Sequence, residues 1–116
     1  MVQKALLNKQ TMIDLLGNDD DSIQYFRLQF VEQSEAILPE LLEYLESGCF
    51  DKLQLKAHFL KTSAKAVGAE MTADSLYQLE LSANAQDPKT SAMIMDSLLL
   101  LHTELKAIIL ESSNRD

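Results

Sequence analysis

The chain has 116 residues, enough for one core burying roughly two thirds of the unfolded surface, and reads as a single domain over residues 1–116. Three glycines, two prolines and no tryptophan, among many Leu, Ala, Glu, Gln and Lys, favour an all-α chain. With 18 acidic against 10 basic residues the net charge is −8, which argues against a nucleic-acid partner, and the single Cys49 rules out an internal disulfide and fits a reducing cytosol.

No signal peptide is read at Met1-Val2-Gln3-Lys4, and the longest apolar run, Leu98 to Leu101, is far too short to span a bilayer. A cytoplasmic protein without membrane contact is expected. Asn8 is a predicted N-cap for a short helix carrying Met12, Ile13 and Leu16, with Gly17 as its stop. Asn18-Asp19-Asp20-Asp21-Ser22 follows as a turn whose acids suit the positive start of the next helix. It lacks the alternating ligands of a calcium loop.

From Ser22 to Ser47 one stripe holds Ile23, Phe26, Phe30, Ser34, Ile37, Leu41 and Leu45 in phase across Pro39, which predicts one bent helix or two collinear ones. Gly48 ends it. Asp51 is the predicted cap of the next helix, with Gln54 in the capping-box position and a Phe50 to Leu55 staple; Cys49 is a small packing residue at the junction.

That next helix carries Leu53, Ala57, Leu60, Ala64 and Val67 on one face, so His58 points roughly 140° away, toward solvent. Lys61 and Lys65 stand one and two turns further on, forming a cationic strip in an otherwise acidic chain. Gly68 ends the helix. A hairpin folded about Gly68-Ala69 brings residues equidistant from the turn to the same height, so Glu80 comes opposite His58.

The following helix, about Glu70 to Ala85, has the stripe Thr72, Leu76, Leu79 and Ala83. Asp87 caps the last, with Pro88 at a first helical position. Its predicted face is Ile94, Leu98, Leu101, Leu105 and Ile108, the most deeply buried in the chain, and the tail from Ser113 to Asp116 is expected to fray. These pieces close most simply as an antiparallel up-and-down four-helix bundle with a short additional N-terminal helix across one end.

The stretch Ala57-His58-Phe59-Leu60-Lys61-Thr62-Ser63, then Gly68-Ala69 and Leu79-Glu80, resembles the signature of the histidine phosphotransfer (HPt) domain family, Ala-His-x-Leu-Lys-Gly-Ser, Gly-Ala and Leu-Glu. The specific motif occupies residues 57 to 80. The resemblance implies a helical bundle whose His58 accepts a phosphoryl group from a receiver aspartate and passes it to another. It implies that Lys61 stabilises the group and that Lys65 adds positive potential. Glu80 either orients the ring by accepting from Nδ1–H, leaving Nε2 free, or is an ordinary solvated carboxylate. Two departures stand out. Thr62 replaces a usual glycine, narrowing access while offering a hydroxyl to a phosphoryl oxygen, and Thr72 replaces a usual core leucine.

The expected partners are receiver domains, with a hybrid sensor kinase as a further candidate, met by a monomer; a dimer formed through the very apolar last helix is the alternative, although a buried core explains that helix equally well. Leu55 and Phe59, with Ile13 or Leu16, are candidates for an apolar docking patch, against the reading that Phe59 packs on a neighbouring helix. No phosphate-cradling glycine loop or nucleotide motif is present, so no cofactor, ATP binding or autophosphorylation is expected, and transfer magnesium comes from the receiver. His102 has no lysine three residues on and is assigned a structural or solvated role, with no zinc spacing between the two histidines. The competing class is an adaptor bundle that binds receiver or kinase domains without being phosphorylated.

Overall fold

A computed structural model describes residues 3–113, all of whose regular structure is α-helical. The helices are α1 (Lys9–Leu16), α2 (Asp20–Glu46), α3 (Phe50–Val67), α4 (Glu70–Asn84) and α5 (Pro88–Ser113). Each of α2 to α5 packs on the next and α5 closes against α2, giving the antiparallel four-helix bundle, with α1 lying on α2 and α3. Of the tail expected to fray from Ser113 to Asp116, Ser113 closes α5 and the rest lies outside the described residues.

Three of the five helix N-termini carry a side-chain cap, and those of α3 and α4 do not. The Asn8 side chain accepts from Gln10 N at 3.0 Å, that of Asp19 from Ser22 N at 3.2 Å, and that of Asp87 from Thr90 N at 3.1 Å. Asp51, in contrast, is not a cap: α3 begins at Phe50, with Cys49 in the cap position and no side-chain bond there. The physical cause lies in the preceding turn. Gly48 takes φ +70° and Cys49 N donates to Tyr44 C=O at 2.8 Å, which folds the chain so tightly that α3 starts early and Asp51 falls within its first turn.

Helix α2 runs unbroken through Pro39, whose position is exposed, so the bond its missing N–H forfeits lies on the solvent side. Its buried stripe includes Ile23, Phe30, Ser34, Ile37 and Leu41 as predicted, but Phe26 is exposed and Arg27, Val31 and Leu38 are buried. The predicted stripes of α3 and α4 are buried throughout, Thr72 included. In α5 the phase differs. The core face is Ser91, Met95, Leu98, Leu105 and Ile109, while Ile94, Leu101 and Ile108 are half-buried and Met93 and Leu100 lie open. Residues 98 to 101 are all leucine and fit any phase; the polar Ser91 marks the true one, held by a 2.7 Å hydroxyl bond to buried Ser82 of α4.

Two residues, Gly68 and Ala69, join α3 to α4. Gly68 is left-handed at φ +82°, Ala69 N donates to Ala64 C=O at 2.9 Å, and the segment before α1 is laced onto this turn. Asn8 N donates to Gly68 C=O at 2.7 Å, Met71 N to Ala5 C=O at 3.0 Å, and the Glu70 carboxylate accepts from Ala5 N and Asn8 Nδ2, both at 2.9 Å. A Cβ at Gly68 would stand 2.4 Å from the Asn8 carbonyl oxygen. Gly68→Ala is therefore expected to lose about 2 kcal/mol, from the left-handed backbone and the displaced segment together, lowering Tm by roughly 10 °C in a chain of this size. Thermal melts followed at 222 nm check this; an unchanged Tm would mean the segment moves aside freely.

The same lacing sets an acid dependence. The Ala5 backbone N–H, then the Asn8 side chain, holds the Glu70 carboxyl below its ordinary value of 4.5. A depressed folded value stabilises fully above pH 4.5 and is lost as pH falls through that lower value. Glu70→Gln should accordingly lower Tm at pH 7, with the gap to the parent closing as the pH drops below 4.5. A gap that stays constant through acid would remove Glu70 from the account.

Candidate functional site

The tight turn at Gly68-Ala69 sets α3 and α4 in register, and the consequence appears eleven residues to either side of Ala69, where His58 and Glu80 meet. His58 Nδ1 stands 2.8 Å from Glu80 Oε1, with the imidazole side chain 58% exposed and that of the glutamate only 12%. An ionised carboxylate can only accept, so the contact places the proton on Nδ1 and leaves the Nε2 lone pair free. The backbone of α3 at this point is rigid, since Ala57 and Leu60 on either side of the histidine are packed in the core.

Lys61 is not part of an open cationic strip. Its side chain is buried against α4, with Nζ 2.6 Å from Glu80 Oε2 and 5.0 Å from the centroid of the Tyr77 ring. The ammonium approaches Oε2 off the line of a hydrogen bond and Oε2 has no other partner, so charge holds the pair. Of the two lysines read as a strip, only Lys65 is exposed. Glu80 is correspondingly not a freely solvated carboxylate: one oxygen meets the ring and the other the ammonium. The ion pair screens the carboxylate's charge while leaving Oε1 aimed at the ring.

Around the histidine the surface is apolar. Leu55 is 73% exposed and Phe59 51%, so Phe59 is only partly covered by its neighbours. Lys56 Nζ lies 5.9 Å from the Phe59 ring centroid and Lys52 Nζ 6.0 Å from that of Tyr44, cation–π contacts unforeseen from the sequence. Beyond Ser63 and Ala66 a groove of about 420 Å³ opens between α1, α2 and α3, walled by Leu15, Leu16 and Phe26. Ile13 does not line it; this residue is half-buried and packs on the core, because α1 turns Met12 and Ile13 inward and Leu15 outward. Thr62 is exposed, but its hydroxyl donates to Phe59 C=O at 2.7 Å, so its single proton is already used within α3 rather than offered to a phosphoryl oxygen.

His102 provides the contrast. Its ring is 14% exposed, with Nε2 3.6 Å from Glu35 Oε2, and Lys106 bonds the same oxygen. This is another His–Glu–Lys grouping, yet its ring nitrogen faces inward and presents no nucleophile to a partner. Lys106 holds the Glu35 carboxyl below its ordinary value. Among the described residues no group of three or more His, Cys, Asp and Glu could hold a metal ion, and no helix is long and apolar enough to cross a membrane.

Among solved structures, the chain resembles histidine-containing phosphotransfer protein B (HptB) from Pseudomonas aeruginosa PAO1, with a TM-score of 0.87 over 98% of this chain and 100% of that one. The sequences are 20% identical, so this likeness speaks for the fold. No curated protein sequence matches the chain. A family model, the Hpt domain, matches residues 26–110, a span holding α3, α4 and most of α2 and α5. With most of its length matched in this way, the chain belongs to the Hpt family, whose members carry out histidine phosphotransfer in phosphorelays.

Proposed function

We propose that His58 is the phosphorylated residue of a carrier domain that accepts the group from an aspartyl phosphate on one receiver domain and passes it to the aspartate of another. The observation that carries this reading is the exposed ring with its Nδ1 2.8 Å from Glu80 Oε1. Nε2 attacks phosphorus, the P–O bond to the partner's carboxylate breaks with the electron pair going to that carboxylate, and a P–N bond forms. The ring gains positive charge as this happens, and the Glu80 carboxylate beside Nδ1–H stabilises it. The reverse sequence delivers the group onward.

Lys61 balances the second oxygen of Glu80, and Lys65 is an open cation on the same helix for phosphoryl oxygens. Leu55, Phe59 and Thr62, with the groove behind them, form the surface that a receiver meets. Leu15 and Leu16 supply from α1 what Ile13 does not. The carrier neither binds nucleotide nor phosphorylates itself, acts as a cytoplasmic monomer, and needs neither nucleic acid nor membrane. Supporting the first point, its three glycines are scattered at 17, 48 and 68 and make no phosphate-cradling loop.

Incubating the protein with a phosphorylated receiver and mapping the modified peptide tests the reading. The expected product is an acid-labile, base-stable phosphate on the peptide containing His58. Label on another residue, or no label from a broad panel of receivers, would favour an adaptor that binds without being phosphorylated.

A further inference from the structure

The register that sets Glu80 opposite His58 has a second consequence one turn nearer the hairpin: Lys61 and Tyr77 are likewise equidistant from Ala69. Tyr77 precedes Glu80 by three residues on α4, so both project from one side of that helix. Its ring faces the Lys61 ammonium at 5.0 Å. The ammonium needs such a partner. It meets Oε2 at 2.6 Å but off the hydrogen-bond line, so the ion pair alone does not fix its direction. Lys61 is also 9% exposed on a long, flexible stem and loses considerable rotamer freedom in being held there.

From this geometry we infer that Tyr77 is a positioning residue for the transfer reaction. Its ring face holds the Lys61 ammonium against Glu80; the pair fixes the carboxylate, and the carboxylate keeps the proton on His58 Nδ1 with Nε2 outward. Tyr77 itself touches neither the imidazole nor an incoming phosphoryl group. Without the ring, Lys61 swings into the open space beside Lys4, Lys65 and Asp74, Glu80 loses its counter-charge and direction, and the imidazole spends part of its time in the other tautomer or turned away. The inference rests on His58 being the carrier.

Because Tyr77 is 46% exposed, truncating it removes little core packing. Tyr77→Ala and Tyr77→Phe should both melt close to the parent. At saturating phosphorylated receiver, Tyr77→Ala should transfer roughly threefold to tenfold more slowly, the range a partly desolvated cation–π contact accounts for. The receiver concentration at half-saturation should stay the same. Tyr77→Phe keeps the ring face and should restore the rate to within about twofold.

Nitrogen-15 spectra of the His58 ring provide the readout that a merely structural role would not move: the Nδ1–H pattern of the parent and of Tyr77→Phe should give way in Tyr77→Ala to mixed tautomers. Three results would overturn the inference: parent-like rate and ring spectra in Tyr77→Ala, equal slowing by Ala and Phe, or a changed half-saturation with an unchanged rate, which would make Tyr77 a docking contact. His58→Gln, run alongside, separates the two levels. If it still accepts phosphate the carrier assignment fails, whereas if it alone is dead and Tyr77→Ala is normal, only the role of Tyr77 fails.

Discussion

His58→Gln is expected to take up no acid-labile phosphate from a phosphorylated receiver, a loss of at least about 10³-fold, as befits removal of a nucleophile. Glutamine keeps a polar side chain of similar reach on an exposed helical position, so the fold should survive within about 0.5 kcal/mol. Its amide nitrogen has no available lone pair, so the P–N bond cannot form. His102→Gln makes the informative partner experiment: with its ring turned inward toward Glu35, that change should leave uptake at the parent level. Phosphate-affinity gels of both variants, with thermal melts to show that each is folded, decide the matter. Parent-level uptake by His58→Gln would move the carrier elsewhere.

Glu80→Ala should slow transfer at saturating receiver by about 10²-fold, the scale associated with losing the orientation of a reacting group. The nucleophile is still present, but nothing holds the proton on Nδ1 or supports the charge that the ring acquires. Lys61 is left without its counter-ion at a mostly covered position, which costs about 1 to 3 kcal/mol of stability, so the rate must be read well below Tm. Glu80→Gln retains a carbonyl that can accept from Nδ1–H but loses the charge, and should transfer at a rate between those of the parent and Glu80→Ala. Single-turnover transfer across the three proteins makes the comparison; equal rates would reduce Glu80 to a fold-stabilising partner of Lys61.

The elements most legible in the sequence are those whose pattern has only one solution. The α3 stripe is unbroken from Leu53 to Val67, and Gly68 marks a turn so short that distance along the chain converts directly into height along the hairpin, which locates Glu80 beside His58. Lys61 was harder to place because a helical wheel describes one helix at a time. Its angle puts it at the border between solvent and the α4 side, and the carboxylate and ring on α4 draw it under cover. The equidistance that pairs Glu80 with His58 also pairs Tyr77 with Lys61, one turn nearer the hairpin.

Other differences have equally local causes. In α5 the four consecutive leucines fit any phase, and a polar residue, Ser91, carried the information that an apolar count discards. At α3 the cap moved from Asp51 to Cys49 because the left-handed Gly48 had already turned the chain. Thr62 follows the common habit of helical threonines, bonding back to a carbonyl of its own helix. The wall of the groove depends on which way an eight-residue helix rolls, which its few apolar positions leave undetermined.

The knot tying residues 5 to 8 onto residues 68 to 71 makes chemistry and recognition separable in an unequal way. Transplanting α3 and α4 alone into a foreign helical scaffold would bring the imidazole, carboxylate, ammonium and ring across intact, since all four belong to that pair. The graft would leave behind the α1 wall that sits beside them. Such a chimera should keep its intrinsic reactivity toward a small phosphoryl donor while losing the ability to choose among protein donors.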